Sequence, residues 1–391
     1  MVTSMTDRSY VRYEDKHLWE RIPPGEADDI EACADLINEM QRAVYNKARH
    51  AYTGTHCRTQ GIIHGTLTTE PNLPPHLRQS LFAEERSYPF AARYSTETQD
   101  PGIDDRIPQP RGLALKLFSV PGTMFPDTPG TDLPTQDIEF NSTPAIELSD
   151  ARTTREILTL RRKHANNPQT ELDKDLSQRP DADLQKARDQ VPNTPLQGLT
   201  WYSQTAYRFG DLICKYRLVP DTAAQTAAAA EQEISSSPSD DDGTADLGPT
   251  AHSGRLSAFH LAHAARWLFQ VQLLSDPARQ SVEDGGAPWD ESQFPWQTVA
   301  RASAPRQQSW DYGLKAFWED RMRLDPWHGL LSLEPVGGAN RLRRVVYPRS
   351  SGLRRALNGY EGGKGEVHVR ALGEVLAQRS GVEEGGKRTD N

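Results

Sequence analysis

The hydrophobic pattern of the chain switches between helical and strand periods. From Asp28 to Ala51, the apolar residues Ile30, Cys33, Leu36, Ile37, Met40 and Val44 recur every three or four positions, as on one face of a helix. The chain runs on through Thr55, His56, Cys57 and Arg58, and from Gly61 it reads as a strand ended by Pro71. A short helix is expected at Leu77–Glu85. Strands are expected at Phe90–Thr96 and Arg111–Val120, and one bent strand or two short ones at Gln136–Ser149. Asp150 stands where a helix cap is favoured, before Ala151–His164. Residues 166–195 are polar and weakly helical. Trp201–Pro220 reads as strand, turn near Gly210, strand; Leu256–Leu274 as helix passing into strand; Trp296–Pro305 as a further strand.

Short strands in the first two-thirds and helices after them predict an α+β fold with an antiparallel β-barrel and surrounding helices. Ala223–Gly254 couples an alanine run to serines and aspartates, with little to bury, and reads as a disordered insertion. The expected division is an N-terminal segment and helix (1–50), a main domain (51–360, with 223–254 inserted) and a Gly-rich tail (361–391).

Composition narrows the function. A net charge of −9 argues against general binding to nucleic acid or anionic membranes. No apolar run approaches the roughly 20 residues of a membrane span, and the N-terminus lacks an apolar signal core. Three cysteines without pairing or metal-site spacing suit a reducing, cytoplasmic compartment.

The stretch Asn340–Arg355 carries the most specific chemistry. On a helix, Arg343 and Tyr347 share one face, and Arg354 falls on it two turns later. A guanidinium beside a phenol is expected to favour the phenolate, a hard oxygen ligand suited to ferric haem iron. The same pattern would also serve a basic helix face with Tyr347 packed at its edge, and a helix starting only at Pro348 would break the shared face. Three further candidates sit elsewhere: His56 for acid–base work, Asn141 as an orienting amide, and Arg93 with Ser95 on one face of a strand. Each alone could be a loop histidine, a turn asparagine or a surface arginine.

Together these segments resemble the haem catalase superfamily, most of all its shorter catalase-related proteins. The resemblance rests on His56-Cys57-Arg58 with Gly61 and Gly65, Arg93-Tyr94-Ser95, Arg111-Gly112-Leu113-Ala114-Leu115-Lys116-Leu117, Asp137 with Asn141-Ser142-Thr143-Pro144, Arg343 with Tyr347-Pro348, and Arg354. They occur in the family's order and cover about residues 50 to 360. The resemblance implies haem b and a peroxide substrate, with an organic co-substrate as an option. It implies that His56 is the distal acid–base supported by Ser95, and that Asn141 is the distal amide. Tyr347 would be the iron ligand with Arg343 as its partner, and Arg93 and Arg354 would hold propionates. Two departures bear on the reaction. Thr55 stands where catalases carry valine, as it does in allene oxide synthase, and its hydroxyl is expected to reach the imidazole. Ile146-Glu147 replaces a Phe-Phe pair, and the acidic residue either suits a larger or more polar substrate or faces solvent. The family's long arm and NADPH-binding helical domain have no counterpart, so NADPH is not expected. A homo-oligomer is compatible with the resemblance, without the arm that interlaces the usual tetramer.

Overall fold

The computed structural model describes residues 10–126, 133–230, 248–360 and 367–380. Its strands are β1 (Arg58–Thr69), β2 (Ser87–Thr96), β3 (Arg111–Phe118), β4 (Thr135–Asn141), β5 (Trp201–Tyr202), β6 (Ala206–Phe209), β7 (Leu212–Pro220), β8 (Ala265–Leu273), β9 (Gln297–Ala304) and β10 (Pro335–Val336). Eight of them, in the order β1-β2-β3-β4-β5-β7-β8-β9, close on themselves as an antiparallel barrel; β6 and β10 extend from β7. Closure leaves those eight strands without a free edge. The helices are α1 (Lys16–Trp19), α2 (Glu26–Ala48), α3 (Ala151–Lys163), α4 (Gln169–Leu176), α5 (Ala182–Arg188), α6 (Ala223–Ala229), α7 (Ala251–Ala262), α8 (Tyr312–Ala316), α9 (Gly338–Leu357) and α10 (Leu372–Leu376). No helix among the described residues is long and apolar enough to cross a membrane.

Strand alternation sorts the residues into an inside and an outside. Ala92, Tyr94, Leu113, Leu115, Ile138 and Phe140 face the core, which they share with Trp201, Trp267 and Phe269. The intervening residues of β2, β3 and β4 point outward in register. Ser95 pairs with Gly112 and Gly112 with Asn141; one step along, Arg93 pairs with Ala114 and Ala114 with Glu139. Two polar rows are thereby fixed on the outside of the barrel wall. Helices α2, α3 and α9 pack against one another through Cys33, Leu36, Leu158, Ile37, Met40 and Leu342, opposite the part of the wall that carries the rows.

Several sequence expectations are corrected. Leu77–Glu85 contains only a short 3-10 turn, Ser80–Phe82. Strand β4 ends at Asn141, and 142–149 is turn and loop. The expected disordered insertion is helical at both ends: Thr222 caps α6 by accepting from the Gln225 amide, and α7 buries Leu256 and Phe259. Residues 231–247 lie outside the described residues. Of the expected tail, the described residues 367–380 belong to the body, because Val369 and Val375 are buried with Ile62, Ala91 and Trp318. The Asp150 cap forms as expected, accepting from the Thr153 amide at 2.7 Å.

His260 on α7 is fully buried beside Tyr94, and burial lowers its pKa to about 4. The unfolded imidazole titrates near 6.5, so between those values the unfolded chain binds the additional proton and stability falls as pH falls. Asp137 and Glu139, raised to about 6 and about 7, act in the opposite sense. The difference between parent and His260→Phe isolates the histidine. Urea unfolding across a pH series should show the parent losing stability relative to the variant between about 6.5 and 4, with a constant difference above pH 7. A flat difference throughout would remove His260 from the acid response.

Candidate active site

The loop before β1 carries His56 to the outer polar rows. Its backbone is left-handed, with φ of 51°, which is uncommon for a residue other than glycine. The Arg93 guanidinium helps to hold it there: Nη2 donates to the His56 carbonyl at 2.7 Å and Nε to Thr59 Oγ1 at 2.8 Å. The imidazole lies over Gly112. A Cβ at that position would stand 2.6 Å from His56 Nδ1 and 2.8 Å from Ser95 Oγ, so strand β3 needs glycine here for steric reasons. His56 Nδ1 is 3.1 Å from Ser95 Oγ. Burial, and then the positive fields of Arg93, Arg343 and Arg188, lower the imidazole to about 3, so the ring is neutral at ordinary pH.

Beyond the ring lies a carboxylate that the sequence reading missed. Glu97 Oε2 is 3.9 Å from His56 Nε2 and accepts from Asn141 Nδ2 at 2.8 Å. Arg188 of α5 faces its other oxygen at 3.6 Å. Asn141 Oδ1 accepts from the amide and hydroxyl of Thr143, at 3.3 and 3.2 Å.

Helix α9 supplies the opposite side of the site. It starts at Gly338, well before Pro348, so Arg343, Tyr347 and Arg354 all lie on one helix, and all three line the same cavity. The charge state expected for the phenol is corrected. Tyr347 donates its hydroxyl proton to Glu139 Oε2 at 2.6 Å. Burial and the negative Glu139 raise the phenol well above its ordinary pKa, and Arg343 only partly offsets them. Arg343 donates to Thr205 Oγ1 and Asn340 Oδ1, each at 3.2 Å. Burial raises Glu139 itself to about 7, against the pull of Arg343 and Tyr347. Arg354 is buried and donates to the Glu319 carbonyl.

Two further expectations change. Thr55 is exposed, and the imidazole's partners are Ser95 and Glu97 rather than the Thr55 hydroxyl; it is the Thr55 carbonyl that is engaged, accepting from Thr53 at 2.7 Å. Glu147 neither faces solvent nor lines the cavity. It is buried against Arg161 and Arg188, each at 3.1 Å, and so fixes the arginine that faces Glu97.

His56, Ser95, Asn141, Arg93, Arg343, Tyr347 and Arg354 all line one cavity of about 760 Å³, together with Thr55, Glu97, Glu139 and Glu319. Glu97 and Glu139 were legible by the period of two, since they follow Ser95 and precede Asn141 by two residues on the same faces. Arg188 and Glu319 carried no such signal; they come from a polar helix and a π-helical turn remote in sequence.

Gly112→Ala should leave the barrel folded and displace the His56 ring. A crystal structure of the variant should show the Ser95 contact broken, and any peroxide turnover should drop by about tenfold or more, equivalent to roughly 1.4 kcal/mol on a barrier. An unmoved imidazole would refute the steric role.

No family model and no curated protein matches the sequence. Solved structures do match. A fungal catalase aligns with a TM-score of 0.58 at 16% identity, over 82% of this chain and 62% of its own. Catalase A from Saccharomyces cerevisiae aligns at 0.57 and 15% identity, over 88% and 69%. A bacterial catalase aligns at 0.58 and 15% identity, over 84% and 63%. The chain therefore spans under two-thirds of the fungal and bacterial catalases, at identities that speak to fold alone. With a closed eight-stranded antiparallel barrel and helices packed outside it, this chain has the catalase-like fold.

Proposed function

We propose that the protein is a haem-dependent, peroxide-consuming oxidoreductase. The supporting observation is convergence: seven residues spread between positions 56 and 354 line one cavity in a catalase-like fold. Three properties of the cavity suit a haem. Its volume of about 760 Å³ is within the range of cofactor pockets, roughly 300–1,000 Å³. Arg93 is buried in the fields of Glu319 and Glu139, but among the described residues its hydrogen bonds go to neutral oxygens, so a carboxylate such as a propionate would give it a direct charged partner. Tyr347 offers an oxygen donor beside the Arg343 guanidinium, whose charge lowers the phenol's pKa. Iron ligation at Tyr347 requires its hydroxyl proton to leave, and Glu139 already receives that proton's hydrogen bond.

In this reading Tyr347 would hold the iron, with Arg343 as its partner, and Arg93 and Arg354 would hold propionates. Haem bound there would supply the redox chemistry for peroxide reduction, with a second peroxide or an organic molecule as the reductant. The protein's part is proton handling and orientation. His56 is neutral, and with Nδ1 against Ser95 its Nε2 faces the site, able to take a proton from one peroxide oxygen and return it to the other. Asn141 has a second N–H with which to orient that peroxide.

A second reading, conversion of an organic hydroperoxide of the allene oxide synthase type, is favoured by the apolar part of the cavity wall. That part includes Ile37, Met40, Leu158, Leu172 and Leu176, far more apolar surface than hydrogen peroxide needs. A haem-binding protein without turnover is the remaining alternative.

Protein purified from haem-replete cells should show the Soret band of high-spin ferric haem with a phenolate ligand, and Tyr347→Phe should lose or shift it. An unchanged spectrum in the variant would overturn the ligand. Oxygen evolution from hydrogen peroxide, per haem, should be abolished in His56→Ala with haem retained. Turnover of lipid hydroperoxide without oxygen evolution would favour the second reading.

A further inference from the structure

The carboxylate of Glu97 occupies a position that the proposed chemistry does not use. It lies between the two groups that would handle a peroxide, taking a hydrogen bond from Asn141 Nδ2 at 2.8 Å and facing His56 Nε2 at 3.9 Å. Its placement is reinforced from behind. Arg188 faces Glu97 Oε1 at 3.6 Å and is itself held by Glu147 at 3.1 Å and Asp189 at 2.6 Å. An ionised carboxylate is acceptor-only, with about four lone-pair positions. Asn141 fills one and Arg188 faces another, while the Glu97 side chain keeps 15% of its surface and lines the cavity. The site therefore presents a fixed, unsaturated acceptor to whatever binds.

Another part of the cavity wall has a different character. Helices α2, α3 and α4 contribute Ile37, Met40, Leu158, Leu172 and Leu176, and the loop before β3 contributes Ile107. An apolar wing leading to a fixed acceptor matches an amphipathic molecule with a hydrogen-bond donor at its head.

We propose that Glu97 is a specificity-determining residue, and that the cavity takes an organic molecule with an apolar body in the α2–α3–α4 wing and a hydroxyl or similar donor bonded to the Glu97 carboxylate. This deepens the reading of the cavity as the active site and names the class of its organic substrate. The acceptor discriminates because a ligand without a donor covers the carboxylate's remaining lone pairs without bonding them, whereas hydrogen bonds to charged groups are among the stronger ones.

The test is a binding measurement on the protein as purified, with two neutral probes of equal length, 1-decanol and 1-methoxynonane. They differ in the O–H donor. Quenching or enhancement of tryptophan fluorescence reports occupancy, since Trp318 lines the cavity, and calorimetry checks the stoichiometry. The alcohol should bind about tenfold more tightly than the ether. Glu97→Val, which removes the acceptor, should bring that ratio to near one, and Glu97→Gln, which keeps a neutral acceptor oxygen, should lower it only part of the way, with the ether's affinity unchanged in both. Equal affinities in the parent, a ratio that persists in full in both variants, or failure of the alcohol to bind would each overturn the proposal. These equilibria are read without turnover. Loss of the Soret assignment would therefore sink the haem reading alone, and loss of the alcohol preference would sink the Glu97 assignment alone.

Discussion

The absence of a side chain at Gly112 is the constraint on which the distal half of the site depends. The barrel wall presents Ser95, Gly112 and Asn141 in one hydrogen-bonded row, and the gap at its centre is where the His56 ring rests. Ring orientation then follows from contact rather than from the loop that carries it. That loop is in a costly left-handed conformation at His56, and the Arg93 bond to its carbonyl helps to hold it. A closed barrel suits this task, because strands paired on both sides cannot slide without breaking two ladders.

Charge compensation organises the remainder. The cavity gathers Arg93, Arg188, Arg343 and Arg354 from β2, α5 and α9, and buried guanidiniums are costly without partners. Carboxylates answer several of them. Glu97 faces Arg188, Glu139 sits in the field of Arg343, and Glu319 accepts from Lys315 and the Thr59 amide. Arg93 stands in the fields of Glu319 and Glu139, yet among the described residues its hydrogen bonds go to the neutral oxygens of Thr59 and His56. This arrangement and the Tyr347–Glu139 bond bear directly on how an anionic, metal-bearing cofactor would be received.

What could be read from the chain was local and periodic. The 3.6-residue pattern of 28–51 gave α2 to within three residues, and period-two alternation gave β2 and β3, because each depends on neighbours in sequence. The polar residues of β2 and β4 were equally open to that logic: Arg93, Ser95 and Glu97 are spaced by two, as are Glu139 and Asn141. Alternation says which side a residue faces. It does not say what stands opposite.

The sequence by itself therefore determined α2, the Asp150-capped α3, β2 and β3 and the set of residue types available for chemistry, and it offered Arg343, Tyr347 and Arg354 as one helical face. Tertiary structure decided the rest. It placed Glu139 against Tyr347 and so kept the phenol protonated where an arginine neighbour alone argued for a phenolate. It turned Thr55 outward, buried Glu147 behind Arg188, and folded the ends of the alanine-rich segment into α6 and α7. The physical reason is common to all of these. Proton affinity, ion pairing and burial depend on groups within a few ångströms in space, and here those groups are contributed by segments 14 to more than 200 residues apart.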